Sequence, residues 1–414
     1  MKLASLGYTP QAVAFLQGAM RLGHEIVAAY EAGNHKEAVR AAAPQSRFRD
    51  DWESLLGERE VDAVLIAGPT LAEDVPSDER ERRDDQLRKL IQAGVPLIVI
   101  PPVCEAIVGF ELEMIRKDVR GIVITATAAP LHTALDDLTQ WLTEKSAAAI
   151  GKIEVLALER YLPLRQRSDV LAAFAYDALL LRRLAGPLLR LTASGAARET
   201  EKKPSLASVV VHADAEAAFP VRWSVAPVTD FAGARLIAQG ATDRVTLDMP
   251  SGEASWRLQA PGIDRSYEPL DSVATVLDEL ENALAFRSIP QVSWLDACRA
   301  VEAMEAIDRS LGRGRTVDLD NEEHSEESSF KGIMAAGGCL LLLGTLGALI
   351  CAGVLTVAFR PEQGTGSAYW GWLQACLIVP LVVFLFAQLL SLGLSRHLRT
   401  KRGPTSSDDS VTPS

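Results

Sequence analysis

The sequence predicts an α/β protein: a doubly wound parallel sheet, then an α+β domain with a mostly antiparallel sheet, then two transmembrane helices. Three observations predict it. Apolar strand-like runs alternate with helical patterns up to about residue 125, as parallel sheets with crossover helices require. From Ser205 to Leu258 short strand-like runs follow one another between turn signals. Near the C-terminus lie two long stretches without a charged residue.

The first half begins with Lys2–Leu6, a strand-like run ending at Gly7, and Gln11–Leu22, a helix with Ala12, Phe15, Leu16 and Met20 on one face. Glu25–Tyr30 reads as a second strand, His35–Ala43 as a helix and Trp52–Leu56 as an amphipathic piece. Ala63–Ala67 and Pro96–Ile100 are continuously apolar, the pattern of strands covered on both faces. A charged stretch from Asp78 to Lys89 leads into a helix ending at Gly94, and a further strand is expected at Gly121–Thr125.

The second half opens with a helix over Leu131–Thr143, a strand over Ile153–Glu159 and a helix over Val170–Leu184. Five short runs (SVVVHA, VRWSVA, ARLIAQG, RVTLDM and ASWRLQA) predict the antiparallel sheet, which helices at Ser272–Phe286 and Trp294–Leu311 close. The expected domains are 1–122 and 123–312. An acidic linker over 313–331 follows, carrying Asp318, Asp320, Glu322, Glu323, Glu326 and Glu327 without apolar periodicity, the composition of a flexible spacer.

Gly332 to Phe359 and Ala368 to Leu394 each exceed the roughly 20 residues that cross a bilayer core. Tyr369, Trp370 and Trp372 stand where an interfacial aromatic belt belongs. Arg396, His397, Arg399, Lys401 and Arg402 follow the second stretch, whereas the connection between the two carries only Arg360 against Glu362. The positive-inside rule then places the tail, 395–414, and the N-terminal domains on the cytoplasmic side. The N-terminus shows no signal-peptide pattern. Neither stretch holds an ionisable side chain, which points to an anchor rather than a transport pathway. Small residues at Gly344, Ala348 and Ala352 allow another helix, in the same chain or in a homo-oligomer or membrane protein partner, to approach closely.

A net charge of −12 argues against nucleic acid as a partner. The five cysteines and six histidines are scattered with no metal-ligand spacing.

Four phrases, in order, resemble the Gfo/Idh/MocA family of nicotinamide-dependent sugar and inositol oxidoreductases: VDAVLIAGPT (61–70), GVPLIVIPP (94–102), IGKIEVL (150–156) and WLDACRAVEAMEAIDRSLGRGRTVDL (294–319). The resemblance implies a Rossmann-type first domain that binds NAD or NADP and a second domain that completes the site for a small-molecule ligand. The functional positions depart from the family's pattern. Where a G-x-G-x-x-G loop lets the backbone approach a pyrophosphate, this chain has Ser5, Gly7 and Pro10. Glu31, 24 residues after Gly7, stands near the place of an acid that holds ribose hydroxyls; as a loop residue it is equally well an exposed charge. The family's E-K-P motif falls on Ile100, Pro101 and Pro102, so the catalytic lysine is replaced by proline, which carries no exchangeable proton. The family's acid/base histidine falls on Tyr176 and its aspartate on Ala172. Tyr176 is a candidate proton shuttle only if a cationic neighbour lowers its pKa; Asp177 and Arg182 lie close in sequence, Asp177 on another helix face. Cys104 and Glu105 form a candidate reactive pair, against the simpler expectation of a buried cysteine. His132 fits a solvated or capping role and His212 a strand surface.

The sequence therefore predicts a membrane-anchored, oxidoreductase-like protein with eroded catalytic positions that binds a ligand, senses or scaffolds. Two alternatives stay open: an active NAD(P)-dependent oxidoreductase acting on a sugar or polyol, and a structural membrane subunit with no ligand.

Overall fold

The computed structural model describes residues 1–57, 61–68, 75–144, 149–195, 206, 208–228, 230–252 and 254–319. The predicted membrane stretches lie outside the described residues; among those described, no helix is long and apolar enough to cross a membrane.

The first sheet contains β1 (Lys2–Leu6), β2 (Glu25–Tyr30), β3 (Arg47–Arg49), β4 (Ala63–Ile66), β5 (Leu97–Val99) and β6 (Val123–Thr125). Its order is β3-β2-β1-β4-β5-β6 and every pairing is parallel. The crossovers run through α1 (Pro10–Arg21), α2 (Lys36–Ala42), α3 (Ser77–Gln92) and α4 (Ala106–Val119). Pro10 opens α1 and the Thr9 side chain accepts from Ala12 N at 3.1 Å, so a proline that removes one donor coexists with an ordinary N-cap. β4 and β5 are buried at every position. Leu87, Leu90 and Ile91 of α3 cover one face of the sheet, whereas Ala12, Phe15 and Leu16 of α1 cover the other. α4 had no clear sequence signal. β6 begins just after the predicted boundary at residue 122 yet pairs with β5, so the first sheet extends past that boundary.

After α5 (Thr133–Glu144) come β7 (Ile153–Leu162) and α6 (Arg167–Ala185). The large sheet is completed by β8 (Leu188–Ser194), β9 (Val210–Ala215), β10 (Val221–Pro227), β11 (Gly233–Gly240), β12 (Arg244–Pro250), β13 (Trp256–Ala260) and β14 (Ile263–Tyr267). Two helices follow, α7 (Ser272–Phe286) and α8 (Trp294–Arg313), then β15 (Val317–Asp318). The order is β14-β13-β12-β11-β7-β10-β9-β8-β15. The expected antiparallel pairing holds except between β7 and β10, which are parallel; α6 and the β8–β9 pair lie between them in the chain and let β10 return in the same direction. α8 packs against α4, α6 and β8 and joins the two halves. Its start is fixed by a Ser293–Asp296 capping box.

The predicted linker loses its first residues to the fold. Ser310 Oγ accepts from Ala193 N at 2.9 Å and donates to Arg315 O at 2.8 Å, and Val317 pairs with Leu191. Arg313 ends α8 and residues 314–319 are an edge strand and its approach, because β8 offers an unpaired edge for them to satisfy.

Candidate functional site

In a doubly wound sheet the ligand crevice lies beyond the carboxyl ends of the strands where the order reverses, here between β1 and β4. Gly7 closes β1 with φ of +88° and donates to Tyr30 O at 3.0 Å. A Cβ at this position would lie 2.2 Å from Ala67 O and 2.6 Å from Arg83 Nη2, so only glycine fits the turn. Ser5, at the first position of the loop pattern, is buried and its Oγ has no partner. Tyr8 stacks on His35 with ring centroids 3.8 Å apart.

Glu31 closes β2 in a left-handed conformation with φ of +51°. It is not an exposed loop charge. Its Oε1 accepts from Gln86 Nε2 at 2.7 Å and its Oε2 from Arg83 Nη2 at 3.2 Å, while Arg82 Nε lies 3.6 Å from Oε1. The Arg83 side chain is 5% exposed. Its Nε and Nη1 have no hydrogen-bond partner, and burial pulls the guanidinium down to about 10, against the opposing pull of Glu31. Sequence reasoning did not single out Arg83. The available signal was its place four residues before Leu87 and seven before Leu90, on the apolar stripe of a helix otherwise rich in charge.

The second cluster lies at the end of β5. Pro101 and Pro102 are buried and joined by a cis peptide bond. The Tyr176 hydroxyl donates to Pro101 O at 2.8 Å, and burial pushes its pKa up to about 12. No cationic group contributes to that shift. The proton-shuttle expectation for Tyr176 is therefore corrected: its proton is committed to a carbonyl. Asp177 faces away, fully buried, accepting from Trp223 Nε1 at 2.8 Å and from both Nε (2.9 Å) and Nη2 of Arg160. It is structural. Arg182 reaches Asp296 at 3.6 Å, and Ala172 offers only a methyl group.

The Cys104–Glu105 pair is also corrected. Cys104 is buried, and burial pushes its thiol well up. It lines, with Pro101, Gly109, Trp294 and Cys298, an apolar cavity of about 10 Å³, about the space of one water. Glu105 is exposed and lies 3.7 Å from Arg80. A thiol needs an electropositive, accessible setting to react, and this one is buried and flanked by acids. His132 is capping but not solvated: it is 1% exposed, accepts from Ala134 N at Nδ1 (3.1 Å), donates from Nε2 to Glu268 O (3.2 Å) and stacks on Trp256. Burial lowers its pKa, against the opposing pull of the Glu268 carbonyl. His212 is exposed on β9, as expected.

No family model matches the sequence, and no curated protein matches it. Solved structures do. A putative myo-inositol dehydrogenase from Sinorhizobium meliloti superposes with a TM-score of 0.59 at 15% identity, covering 77% of this chain and 100% of its own. The chain shares the fold of this oxidoreductase. An oxidoreductase from Agrobacterium radiobacter, solved in complex with NAD+, L-tartaric acid and magnesium, shares the fold at 15% identity and a TM-score of 0.60, over 77% of this chain and 98% of its own. UDP-N-acetylglucosamine 3-dehydrogenase from Acidithiobacillus ferrooxidans does so at 18% and 0.59, over 76% and 98%. At such identities the likeness is one of fold, and function must be argued from the site. The resemblance drawn from the sequence would make the crevice of β1 and β4 the dinucleotide side and the Pro101–Tyr176 contact the substrate side.

Proposed function

We propose that this chain is a membrane-anchored protein of Gfo/Idh/MocA fold that binds NAD or NADP without hydride-transfer turnover and acts as a ligand-binding, sensing or scaffold protein. The observation that carries the loss of chemistry is the Tyr176–Pro101 hydrogen bond. The two positions that the family resemblance assigns to acid/base groups are bound to each other, and neither offers a proton near neutral pH. General acid/base catalysis needs a group whose pKa lies near the working pH.

The dinucleotide side fits its ligand better. Gly7 turns the chain tightly at the end of β1 with φ of +88°, and the buried Arg83 Nε and Nη1 have no acceptor among the described residues. Such orphaned donors are costly unless a ligand satisfies them, and phosphate oxygens would. Gly7 would admit the pyrophosphate, Arg83 would hold a further phosphate where the ligand carries one, and the nicotinamide would supply hydride chemistry, which Pro101 and Tyr176 do nothing to assist. One observation favours a structural subunit as a second reading: both Glu31 oxygens are already taken by α3 side chains.

The test uses the full chain in detergent micelles titrated with NADH and NADPH, followed by assay with oxidised cofactor and a panel of polyols and sugars. Saturable binding without substrate-dependent nicotinamide reduction is expected. Turnover would overturn the loss of chemistry, and absence of binding would favour the structural subunit. The anchor is supported by the apolar stretches 332–359 and 368–394. The chain should stay with the membrane pellet after alkaline carbonate extraction; release into the supernatant refutes the anchor.

A further inference from the structure

Which dinucleotide the crevice prefers depends on what faces the end of β2. A free carboxylate there accepts hydrogen bonds from the ribose diol, whereas an arginine accommodates a 2′-phosphate. In this chain the carboxylate is present but engaged. Gln86 Nε2 holds Oε1 of Glu31 at 2.7 Å and Arg83 Nη2 holds Oε2 at 3.2 Å. Arg82 stands 3.6 Å from Oε1 with 58% of its side chain exposed. Two guanidinium groups thus confront one carboxylate, and three donors share its two oxygens.

The charge is not otherwise neutralised by contact. Glu79, one helical turn before Arg83, also acts on the Arg83 charge, yet Arg83 Nε and Nη1 have no hydrogen-bond partner. A neutral ribose diol would have to share a carboxylate whose two oxygens each already accept one hydrogen bond. A phosphate monoester brings oxygens, which are what the buried Arg83 donors and the exposed Arg82 lack.

We propose, resting on the ligand-binding reading above, that Arg82 and Arg83 form a 2′-phosphate site beside Glu31 and make the crevice selective for NADP(H) over NAD(H), with Arg83 as the specificity-determining residue. Glu31 and Gln86 then serve as its positioning partners: the Glu31 carboxylate fixes Nη2 and leaves Nε and Nη1 for the phosphate.

The test is equilibrium titration of the full chain in detergent micelles with NADPH, NADH, 2′,5′-ADP and 5′-AMP. NADPH should bind at least about tenfold more tightly than NADH, as one charge-assisted phosphate contact allows, and 2′,5′-ADP should displace it where 5′-AMP does not. Arg83→Gln should weaken NADPH by about tenfold and leave NADH within about threefold. Arg82→Gln, at an exposed position that does not threaten folding, should weaken NADPH by about threefold and leave NADH unchanged. NADH binding as tightly as NADPH overturns the proposal, as does an Arg83→Gln variant that weakens both dinucleotides equally, which would assign the arginine to the shared pyrophosphate. If none of the four compounds binds, the ligand-binding reading itself falls.

Discussion

Replacing Asp177 with alanine removes the one carboxylate that neutralises Arg160 and accepts from Trp223 Nε1. Asp177 is 0% exposed and the Arg160 side chain 21% exposed, so little water can replace the lost partner. Truncating one member of a buried ion pair costs about 3–5 kcal/mol, and the indole N–H left without an acceptor lies within that figure. Over the folded unit Met1–Asn321 each kcal/mol lowers the melting temperature by about 1.5 °C, at about 2.1 cal/mol/K of unfolding entropy per residue. Asp177→Ala should therefore melt roughly 4–8 °C below the parent. Asp177→Asn keeps an acceptor for Trp223 but not the charge, and should fall between the two. The assay is thermal unfolding of the full chain in detergent followed by far-UV circular dichroism, with Trp223→Phe as a companion. Because Trp223 and Arg160 share one carboxylate, the double variant Asp177→Ala with Trp223→Phe should lose less than the sum of the singles. An Asp177→Ala variant melting within about 1 °C of the parent would refute the structural role, since that is below the shift from 1 kcal/mol.

Two further outcomes follow from the same contacts. Gly7→Ala should cost at least about 2 kcal/mol in a urea titration, from the left-handed backbone and the collision with Ala67 O, and an unchanged midpoint would show that the turn tolerates a side chain. Asp84 is pushed from 3.8 up to about 6, first by burial and then by Glu105. A carboxyl raised in the folded state binds more protons there than in the unfolded chain, so its contribution falls as pH rises from 3.8 through about 6. Asp84→Asn should therefore raise the melting temperature above pH 6 and lose that advantage below pH 4; a gain independent of pH would contradict the assignment.

Much of the parallel half was legible because its strands are short apolar runs stopped by glycine or proline, as in Ala63–Ile66 and Leu97–Val99. α4 was not: its exposed Ile107 and Met114 blur the apolar stripe formed by Ala106, Gly109 and Leu112. β14 carries apolar residues only at Ile263 and Tyr267, too few to show alternation. The parallel pairing of β7 with β10 is long-range and leaves no local mark. At the site, sequence gave the positions of Gly7, Glu31, Pro101 and Tyr176 through a resemblance, but not what they touch. Glu31 meets Arg83 across 52 residues and Tyr176 meets Pro101 across 75, separations that no spacing rule reports. On the proposed reading those two contacts decide the chemistry, one by engaging the acid beside the crevice and the other by binding the two acid/base positions to each other.

The most direct measurement of the central claim pairs equilibrium binding with turnover on one preparation of the full chain. Titration with NADPH and NADH should saturate, and the loaded protein should then leave the nicotinamide absorbance unchanged across polyols and sugars. Substrate-dependent reduction or oxidation of the bound cofactor would contradict it, because it would mean that hydride transfer proceeds although Tyr176 and Pro101 hold each other.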